Sequence, residues 1–300
     1  MTPTVSIVGS TASGKSAVAM DVARRLGDVE LVSVDSMQVY RGMDIGTAKP
    51  SVDDQAEVVH HCIDLVESTE EFTVGDFVAA HAAACTTITG RGGRTLLVGG
   101  TGLYHRVVID EFDLPGEFPD ERRILDAEPD TERLHRRLIE VDPVAAARME
   151  PGNRRRVVRA LEVTLGAGRP FSSFGPGVNT YPPSAVVQFG LRRPRAVVAQ
   201  RVERRVHTMI ADGLIGEVEQ LARAGFSRSA GQALGYKEIV QHLEGTIGQD
   251  EAIDMIITRT RQFAVRQERW FRRDPRVRWI DVEHDPVAEA APIVMEALTR

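Results

Sequence analysis

The sequence contains little cysteine, little lysine and no long hydrophobic run. Its two cysteines, Cys62 and Cys85, are too few for a disulfide framework and lack the spacing of a zinc site. No apolar segment approaches the length that crosses a membrane, and the chain enters its first strand pattern without a signal peptide. We therefore expect a cytoplasmic protein that does not associate with a membrane.

Positive charge is carried almost entirely by arginine, since the only lysines are Lys15, Lys49 and Lys237. The formal net charge of −6 argues against a protein that coats nucleic acid indiscriminately. The arginines are concentrated at 154–159 and 259–278. Each cluster is either a solvated helix face or a surface that binds RNA phosphates, for which the planar guanidinium is well suited.

The length and composition are those of a globular protein. With 300 residues, of which 42% are hydrophobic, the chain can bury a substantial core. The strand and helix patterns predict an α/β fold, a P-loop NTPase-like parallel sheet core flanked by helices. From about residue 115, prolines and charges punctuate short helical segments, which predicts a mainly helical insertion. The predicted boundaries are 1–114 for the first part of the core, 115–183 for the insertion and 184–300 for the second part of the core.

A phosphate-binding loop is the most informative short motif in the chain. An apolar strand pattern at Val5–Val8 precedes it, and a helical pattern ending at Leu26 follows it. Glycines in the loop let successive backbone N–H groups point at an anion, and the helix adds the positive end of its dipole. Lys15 supplies a point charge for the terminal phosphate, and the Ser16 hydroxyl can ligate Mg²⁺. The predicted residues for diphosphate or nucleotide binding are Gly9, Ser10, Thr11, Ala12, Ser13, Gly14, Lys15 and Ser16.

Two further strand patterns end in polar or small residues. Asp35 follows Leu31–Val34, and Gly99–Thr101 follows Thr95–Val98. Because the carboxyl ends of parallel strands meet at one edge of a sheet, we expect both segments near the phosphate loop. The glycines leave room for a ligand, and Thr101 can form a hydrogen bond with a phosphate or with Asp35. Asp35 itself is either a chemical group of the site or a helix N-cap.

Two further segments are candidates for the site, one as a metal site and one as a source of cations. His60–Cys62 invites a metal interpretation, but adjacent strand residues point to opposite faces and no further ligands complete a set. We therefore expect a structural or hydrogen-bonding role there. A long helical pattern at Ala196–Ala224, with a break near Gly213, carries arginines that can reach back toward the phosphates, namely Arg201, Arg204 and Arg205.

Several segments spread over nearly the whole chain belong together. They are Gly9–Ser16, Asp35–Pro50, His60–Asp64, Gly99–Tyr104, Arg156–Val163, Leu234–Lys237 and Arg261–Phe271. In this order they resemble the tRNA dimethylallyltransferases, also called tRNA isopentenyltransferases, and the Asp35–Pro50 segment is far more specific than the phosphate loop. Ser10 stands where the family usually has proline and Ser16 where threonine is commoner, and both keep the chemistry.

The resemblance implies transfer of a dimethylallyl group from dimethylallyl diphosphate to the exocyclic amine of an adenosine. In that family the adenosine is position 37, just 3′ of the anticodon, in tRNAs that read codons beginning with U. The loop and Lys15 then hold the diphosphate with Mg²⁺ at Ser16, and Arg205 matches a position that contacts the diphosphate. Asp35 is implied as the general base, with Thr101 near it and the adenine.

The resemblance also implies that the insertion grips the anticodon stem-loop of a tRNA. The target base must leave its stack to reach a buried site. We expect the protein to act as a monomer. The implied tRNA-binding residues are Asp35, Ser36, Met37, Gln38, Thr101, Arg122, Arg155, Arg156, Arg159, Gln232, Gly235, Tyr236, Lys237, Arg261, Arg266 and Arg269.

Three other functions fit part of the sequence. In a small-molecule or nucleotide kinase Asp35 would activate a hydroxyl, and the 154–159 segment would act as a lid. A prenyltransferase acting on free adenylate would share the reaction. Neither has a use for the long insertion or the arginine-rich 259–278 segment. An RNA-binding module with a degenerate nucleotide site would have no reason to retain Lys15, Asp35 and Thr101 together.

Overall fold

The computed structural model describes residues 4–175, 177 and 180–300, and within them the strands form one six-stranded sheet. The strands are β1 (Val5–Gly9), β2 (Val29–Val34), β3 (His60–His61), β4 (Arg94–Gly99), β5 (Val187–Arg192) and β6 (Arg278–Asp281). They pair in parallel in the order β3-β2-β4-β1-β5-β6. Gly99 pairs with Val8 on one side and Val34 on the other. The segments that follow β1, β2 and β4 therefore emerge side by side.

Helices connect the strands and flank the sheet. No helix in the described ranges combines the length and the apolar character needed to cross a membrane. In chain order the α-helices are α1 (Lys15–Leu26), α2 (Val52–Glu57), α3 (Val74–Gly90), α4 (Gly102–Ile109), α5 (Pro119–Asp126), α6 (Thr131–Val141), α7 (Pro143–Ala146), α8 (Arg154–Ala167), α9 (Arg195–Ala211), α10 (Leu214–Ala224), α11 (Tyr236–Leu243), α12 (Gln249–Arg272) and α13 (Pro286–Thr299).

The chain divides into two compact units, and the first, Met1–Ile109 with Pro183–Arg300, contains the sheet. Its central strands are apolar and buried on both faces, which is the usual pattern of a parallel sheet covered by helices. One apolar core includes Val18 of α1 and Val294 of α13. A larger core includes residues of α3 and of α9 to α12, among them Phe77, Val202 and Ile257. These findings confirm the predicted fold class.

The second unit, Asp110–Pro182, is built from α5 to α8. Leu134 and Leu138 lie one helical turn apart on the buried face of α6, and α8 contributes Val157 and Leu161 to the same core. Asp130 caps α6 by accepting hydrogen bonds from two backbone N–H groups of its first turn. The unit therefore has a core of its own.

The structure confirms the break predicted in the long helical pattern and adds elements that the pattern did not predict. Gly213, with φ +102°, separates α9 from α10. The unpredicted elements include α2, α4, β6 and α13. The first three are short, with six, eight and four residues, and α13 contains Pro292, so that none carries a long uninterrupted period.

Candidate active site

The phosphate loop joins β1 to α1 through backbone angles that favour glycine. Gly9 and Gly14 have φ of +146° and +105°, and Ala12 between them has φ +62°. A side chain at Gly9 would also overlap the carbonyl oxygen of Leu191, at 2.7 Å. The first N–H groups of α1, and the positive end of its dipole, lie directly at this loop.

Two arginines bind the carbonyl oxygens of the loop. The Arg201 Nε donates to the carbonyl of Ala12 at 2.8 Å, and the Arg193 Nε donates to the carbonyl of Ser13 at 3.1 Å. In a trans peptide the C=O and the following N–H point in opposite directions. The N–H groups of these peptides therefore point away from the arginines, and that of Ser13 donates to the carbonyl of Ser10 at 3.3 Å. The N–H of Gly14 and the first N–H groups of α1 favour an anion on this side of the loop.

Lys15 and Arg205 bring two desolvated cations to the same loop. The Lys15 Nζ donates to the carbonyl of Ser10 at 2.8 Å, and the Arg205 Nη1 donates to the Thr11 hydroxyl at 3.3 Å. Burial, and then repulsion from Arg205, lowers the pKa of Lys15 to about 8, while the Asp35 carboxylate opposes the shift. Burial likewise lowers the pKa of Arg205. Such a site favours an anionic ligand, because burial removes the water that stabilises the two cations and the negative charge of a ligand can take its place.

Asp35 directly follows β2 and forms a turn with its own backbone. Its Oδ1 accepts a hydrogen bond from the N–H of Met37 at 2.8 Å. Residues 35–50 contain no helix, so the N-cap interpretation of Asp35 is wrong. The Thr101 hydroxyl oxygen accepts from the N–H of Ser36 at 3.2 Å and donates to the Ser36 hydroxyl at 3.5 Å. Thr101 is therefore linked to Ser36, the residue that directly follows Asp35.

Gly99 and Gly100 are required by the packing of the protein on itself. A Cβ at Gly99 would overlap the backbone of Val34, and a Cβ at Gly100 would overlap the side-chain amide of Gln267. The interpretation that these two glycines leave room for a ligand is therefore wrong. They allow β2 and α12 to approach the turn that carries Thr101.

The sequence reasoning did not single out Gln267 or Arg193 as part of this site. Gln267 lies on α12, is 7% exposed, and its Oε1 accepts from the N–H of Thr11 at 2.8 Å. Its Nε2 donates to the carbonyl of Gly100 at 3.0 Å. The buried neighbours on the same helix face are Ala264 and Phe271, at helical spacing. A glutamine in an otherwise apolar stripe was the available signal, because a buried amide needs specific partners.

Lys49 holds the long 35–50 segment in place. Its ammonium donates to the carbonyl of Tyr40 at 2.8 Å, to Asp44 at 2.5 Å and to Asp64 at 2.6 Å, and its side chain is 2% exposed. A buried ammonium with three oxygen partners is fully used as a donor. Lys49 therefore organises the segment and has no donor left for a ligand.

A family model described as IPP transferase matches residues 38–274 of the chain. The chain belongs to the IPP transferase family. The tRNA dimethylallyltransferase of Desulforudis audaxviator is 44% identical in an alignment of 302 positions that covers 97% of this chain and 96% of that protein. The tRNA dimethylallyltransferase of Geobacter metallireducens is 46% identical and is matched over 92% of both chains.

Solved structures of this family have the same fold. The full-length tRNA isopentenylpyrophosphate transferase of Bacillus halodurans aligns with a TM-score of 0.72 at 38% identity, covering 100% of this chain and 97% of that one. A eukaryotic dimethylallyltransferase acting on tRNA aligns with a TM-score of 0.82 at 25% identity, covering 98% of this chain and 78% of that one.

Among the residues of this family member that we predict to bind tRNA, some expose their side chains and others do not. Tyr236 is fully buried, so the structure exposes neither its side chain nor its backbone to RNA. The Gln38 amide is held by Ser33 and by the carbonyls of Thr47 and Ala48. Gly235 is buried, and Ser36, Met37 and Arg261 are partly buried. The exposed side chains are those of Arg155, Arg156, Gln232, Lys237, Arg266 and Arg269.

Two of the predicted arginines pair with Glu162 inside the second unit. The Arg159 guanidinium donates to Glu162 at 2.5 Å and to the carbonyls of Pro115 and Gly116 at 3.0 and 3.1 Å. Arg122 lies 3.6 Å from the same carboxylate and bonds Asp126 at 2.8 Å. Glu162 is 4% exposed, so that a buried carboxylate holds both arginine side chains in place. Their roles toward RNA stay predictions.

The two histidines of β3 have hydrogen-bonding roles, as predicted. His61 pairs with Glu30 at 2.6 Å, and the His60 ring bonds the carbonyl of Val58 at 2.7 Å. Within the described ranges, no group of three or more His, Cys, Asp or Glu side chains is arranged to hold a metal ion. Ser16, which is exposed at the start of α1, offers a single hydroxyl. That donor fits Mg²⁺ held mainly by substrate phosphates and water.

Proposed function

We propose that this enzyme transfers a dimethylallyl group from dimethylallyl diphosphate to N6 of adenosine 37, 3′-adjacent to the anticodon, in tRNAs that read codons beginning with U. Diphosphate is released. One observation carries the proposal. Lys15 and Arg205 are both desolvated at the phosphate loop, and both interact electrostatically with the Asp35 carboxylate. The membership of the family and the names of its relatives supply the substrate class.

The phosphate loop binds the leaving group in this proposal. The bond between the allylic carbon and the diphosphate oxygen breaks, and the diphosphate takes the electron pair. Lys15, Arg205 and the loop N–H groups stabilise the charge that develops there. Mg²⁺ bound with the substrate at Ser16 would offset part of the same charge. An allylic carbon ionises readily, so stabilising the leaving group is the main requirement.

Asp35 is the proposed general base. The N6 amine is a poor nucleophile because its lone pair is delocalised into the adenine ring. As the new C–N bond forms, the amine loses one proton, which the Asp35 carboxylate accepts. The hydrogen bond from the Met37 N–H to Asp35 Oδ1 holds this carboxylate in one orientation. Thr101, joined to Ser36, supports the adenine side of the site.

The RNA is held by surfaces outside this site. We assign the exposed Arg155 and Arg156 of the second unit to the anticodon stem-loop, whose phosphates suit guanidinium groups. Adenosine 37 leaves its stack to enter the site, at a cost of about a few kcal/mol that the RNA contacts must offset. We further propose that the protein acts on tRNA as a monomer in the cytoplasm.

A transfer assay with three acceptors tests the proposal. Labelled dimethylallyl diphosphate and Mg²⁺ are incubated with the protein and an anticodon stem-loop with three adenosines after the anticodon, the same stem-loop lacking them, or free AMP. Label on the first acceptor alone is expected. Label on AMP would identify a nucleotide prenyltransferase, and ATP hydrolysis without any transfer would support the kinase alternative.

A further inference from the structure

Gln267 connects two segments that are distant in sequence, and it uses both ends of its side-chain amide to do so. The Thr11 N–H, 256 positions away, donates to Oε1, and Nε2 donates to the Gly100 carbonyl, 167 positions away. The two partners fix the orientation of the amide, because a reversed amide would place donor against donor and acceptor against acceptor.

The contact leaves little freedom for another side chain. Gly100 lies so close to Nε2 that any Cβ there would overlap it. A glutamate would set a carboxylate oxygen against the Gly100 carbonyl, and a methionine would remove the partners of the part-buried Thr11 N–H and of the buried Gly100 carbonyl. A polar group that loses its partner inside the protein destabilises the arrangement around it. Glutamine meets both requirements with one acceptor and one donor.

The two connected segments carry opposite halves of the proposed reaction. Thr11 lies in the phosphate loop, and its hydroxyl receives Arg205 at 3.3 Å. Gly100 directly precedes Thr101, which bonds Ser36 beside Asp35. The amide of Gln267 therefore sets the separation between the side that binds diphosphate and the side that carries the general base. Displacements of about 1 Å between reacting groups can cost about 100-fold in rate.

We propose that Gln267 is a positioning residue of the transfer reaction. It acts through the two loops and does not touch the substrate, and its role rests on the function proposed above. It holds the phosphate loop and the Gly100–Thr101 turn at the spacing in which the allylic carbon faces the amine. Loss of this connection lowers the turnover number more than it lowers the affinity for either substrate.

The test compares Gln267→Met and Gln267→Glu with Gln220→Met, a control at an exposed position of α10. With both substrates saturating, we expect kcat to fall by about tenfold or more in Gln267→Met, while the affinities for the stem-loop and for inorganic diphosphate change by less than about threefold. In Gln267→Glu a protonated carboxyl can donate to Gly100 again. The activity of this variant relative to wild type should therefore increase as the pH is lowered from about 8 to about 6.

The outcomes separate this inference from the proposed function. If the wild type transfers the label and folded Gln267→Met has the same kcat, the positioning role is overturned and the proposed function stands. A loss of diphosphate affinity that matches the loss of activity would also overturn the positioning role, because Gln267 would then only shape the phosphate loop. If the wild type and Gln220→Met transfer nothing to any acceptor, the proposed function fails, and this inference fails with it. Should Gln267→Met not fold, the pH dependence of Gln267→Glu decides, and a flat ratio contradicts the proposal.

Discussion

The Tyr236 hydroxyl donates a 2.5 Å hydrogen bond to the Glu217 carboxylate, and the same carboxylate holds the loop that follows Asp35. Glu217 also accepts the N–H groups of Asp44, Ile45 and Gly46 at 3.1, 2.8 and 3.2 Å. The Tyr236 ring occupies the space that a Cβ at Gly46 would need. Burial and the adjacent Glu217 raise the pKa of Tyr236. The phenol therefore stays protonated and remains a donor.

Removal of Glu217 should destabilise the protein. In Glu217→Ala three consecutive N–H groups and the buried Tyr236 hydroxyl lose their acceptor, and we expect the free energy of unfolding to fall by about 2–4 kcal/mol. Urea denaturation measures the change. Glu219→Ala, which removes an exposed partner of Arg223 on the same helix, is the control and should change stability by less than about 0.5 kcal/mol. Equal stability of the two variants would contradict the role given to Glu217.

Replacement of the proposed base should lower turnover and leave RNA binding intact. Asp35→Asn keeps an oxygen that can accept from the Met37 N–H but removes the basic group. We expect kcat to fall by at least about 100-fold, the usual contribution of a positioned base. Single-turnover transfer and filter binding of the stem-loop measure the two effects. Near-normal turnover in Asp35→Asn or Asp35→Ala would exclude Asp35 as the base.

The lowered pKa of Lys15 predicts how diphosphate binding depends on pH. Below about pH 8 the ammonium is charged in the free protein, and above that pH it loses its proton, so binding of the anion should weaken. In Arg205→Gln the neighbouring cation is absent, so the pKa of Lys15 rises and the decline should begin at higher pH. Titrations of dimethylallyl diphosphate into both proteins test this, since ionisation of the ligand is common to the pair. Identical pH profiles would contradict the coupling.

The arginines of α8 should determine tRNA affinity without affecting the diphosphate site. Arg156 is exposed, and Arg156→Ala should weaken stem-loop binding and reduce the slope of log affinity against log salt concentration by about 1, as expected for one phosphate contact. Diphosphate affinity should be unchanged. Arg137→Ala, at an exposed position of α6, serves as the control. An unchanged stem-loop affinity in Arg156→Ala would remove α8 from the RNA surface.

Arg159→Ala tests a second role in the same helix. Its guanidinium is held by Glu162 and two loop carbonyls, so that the variant should weaken tRNA binding and also lower the stability of the second unit. Thermal unfolding combined with stem-loop binding separates the two. A loss of stability with full tRNA affinity would make Arg159 a purely structural residue.

Local spacing made the phosphate loop predictable. A strand, two glycines, a lysine and a helix lie within one short stretch, and their geometry follows from neighbouring residues. The sheet edge was predictable for a related reason, because parallel strands place Asp35 and Thr101 at the same end wherever the strands lie in order. The register of Gly99 with Val8 and Val34 agrees with that expectation.

By itself, then, the sequence determined the anion loop, the fold class and the family. The tertiary structure decided which side chains support the loop, because their partners lie far away in the chain. Arg193 and Arg201 reach the loop from 180 and 189 positions away, and Glu217 reaches Asp44 across 173. No local period or motif encodes such pairs. Arg193 directly follows β5, and Arg201 and Glu217 lie on α9 and α10, so that only the packing of these elements around the sheet brings them to their partners. The same packing makes Gln267 of α12 the connection between both halves of the site.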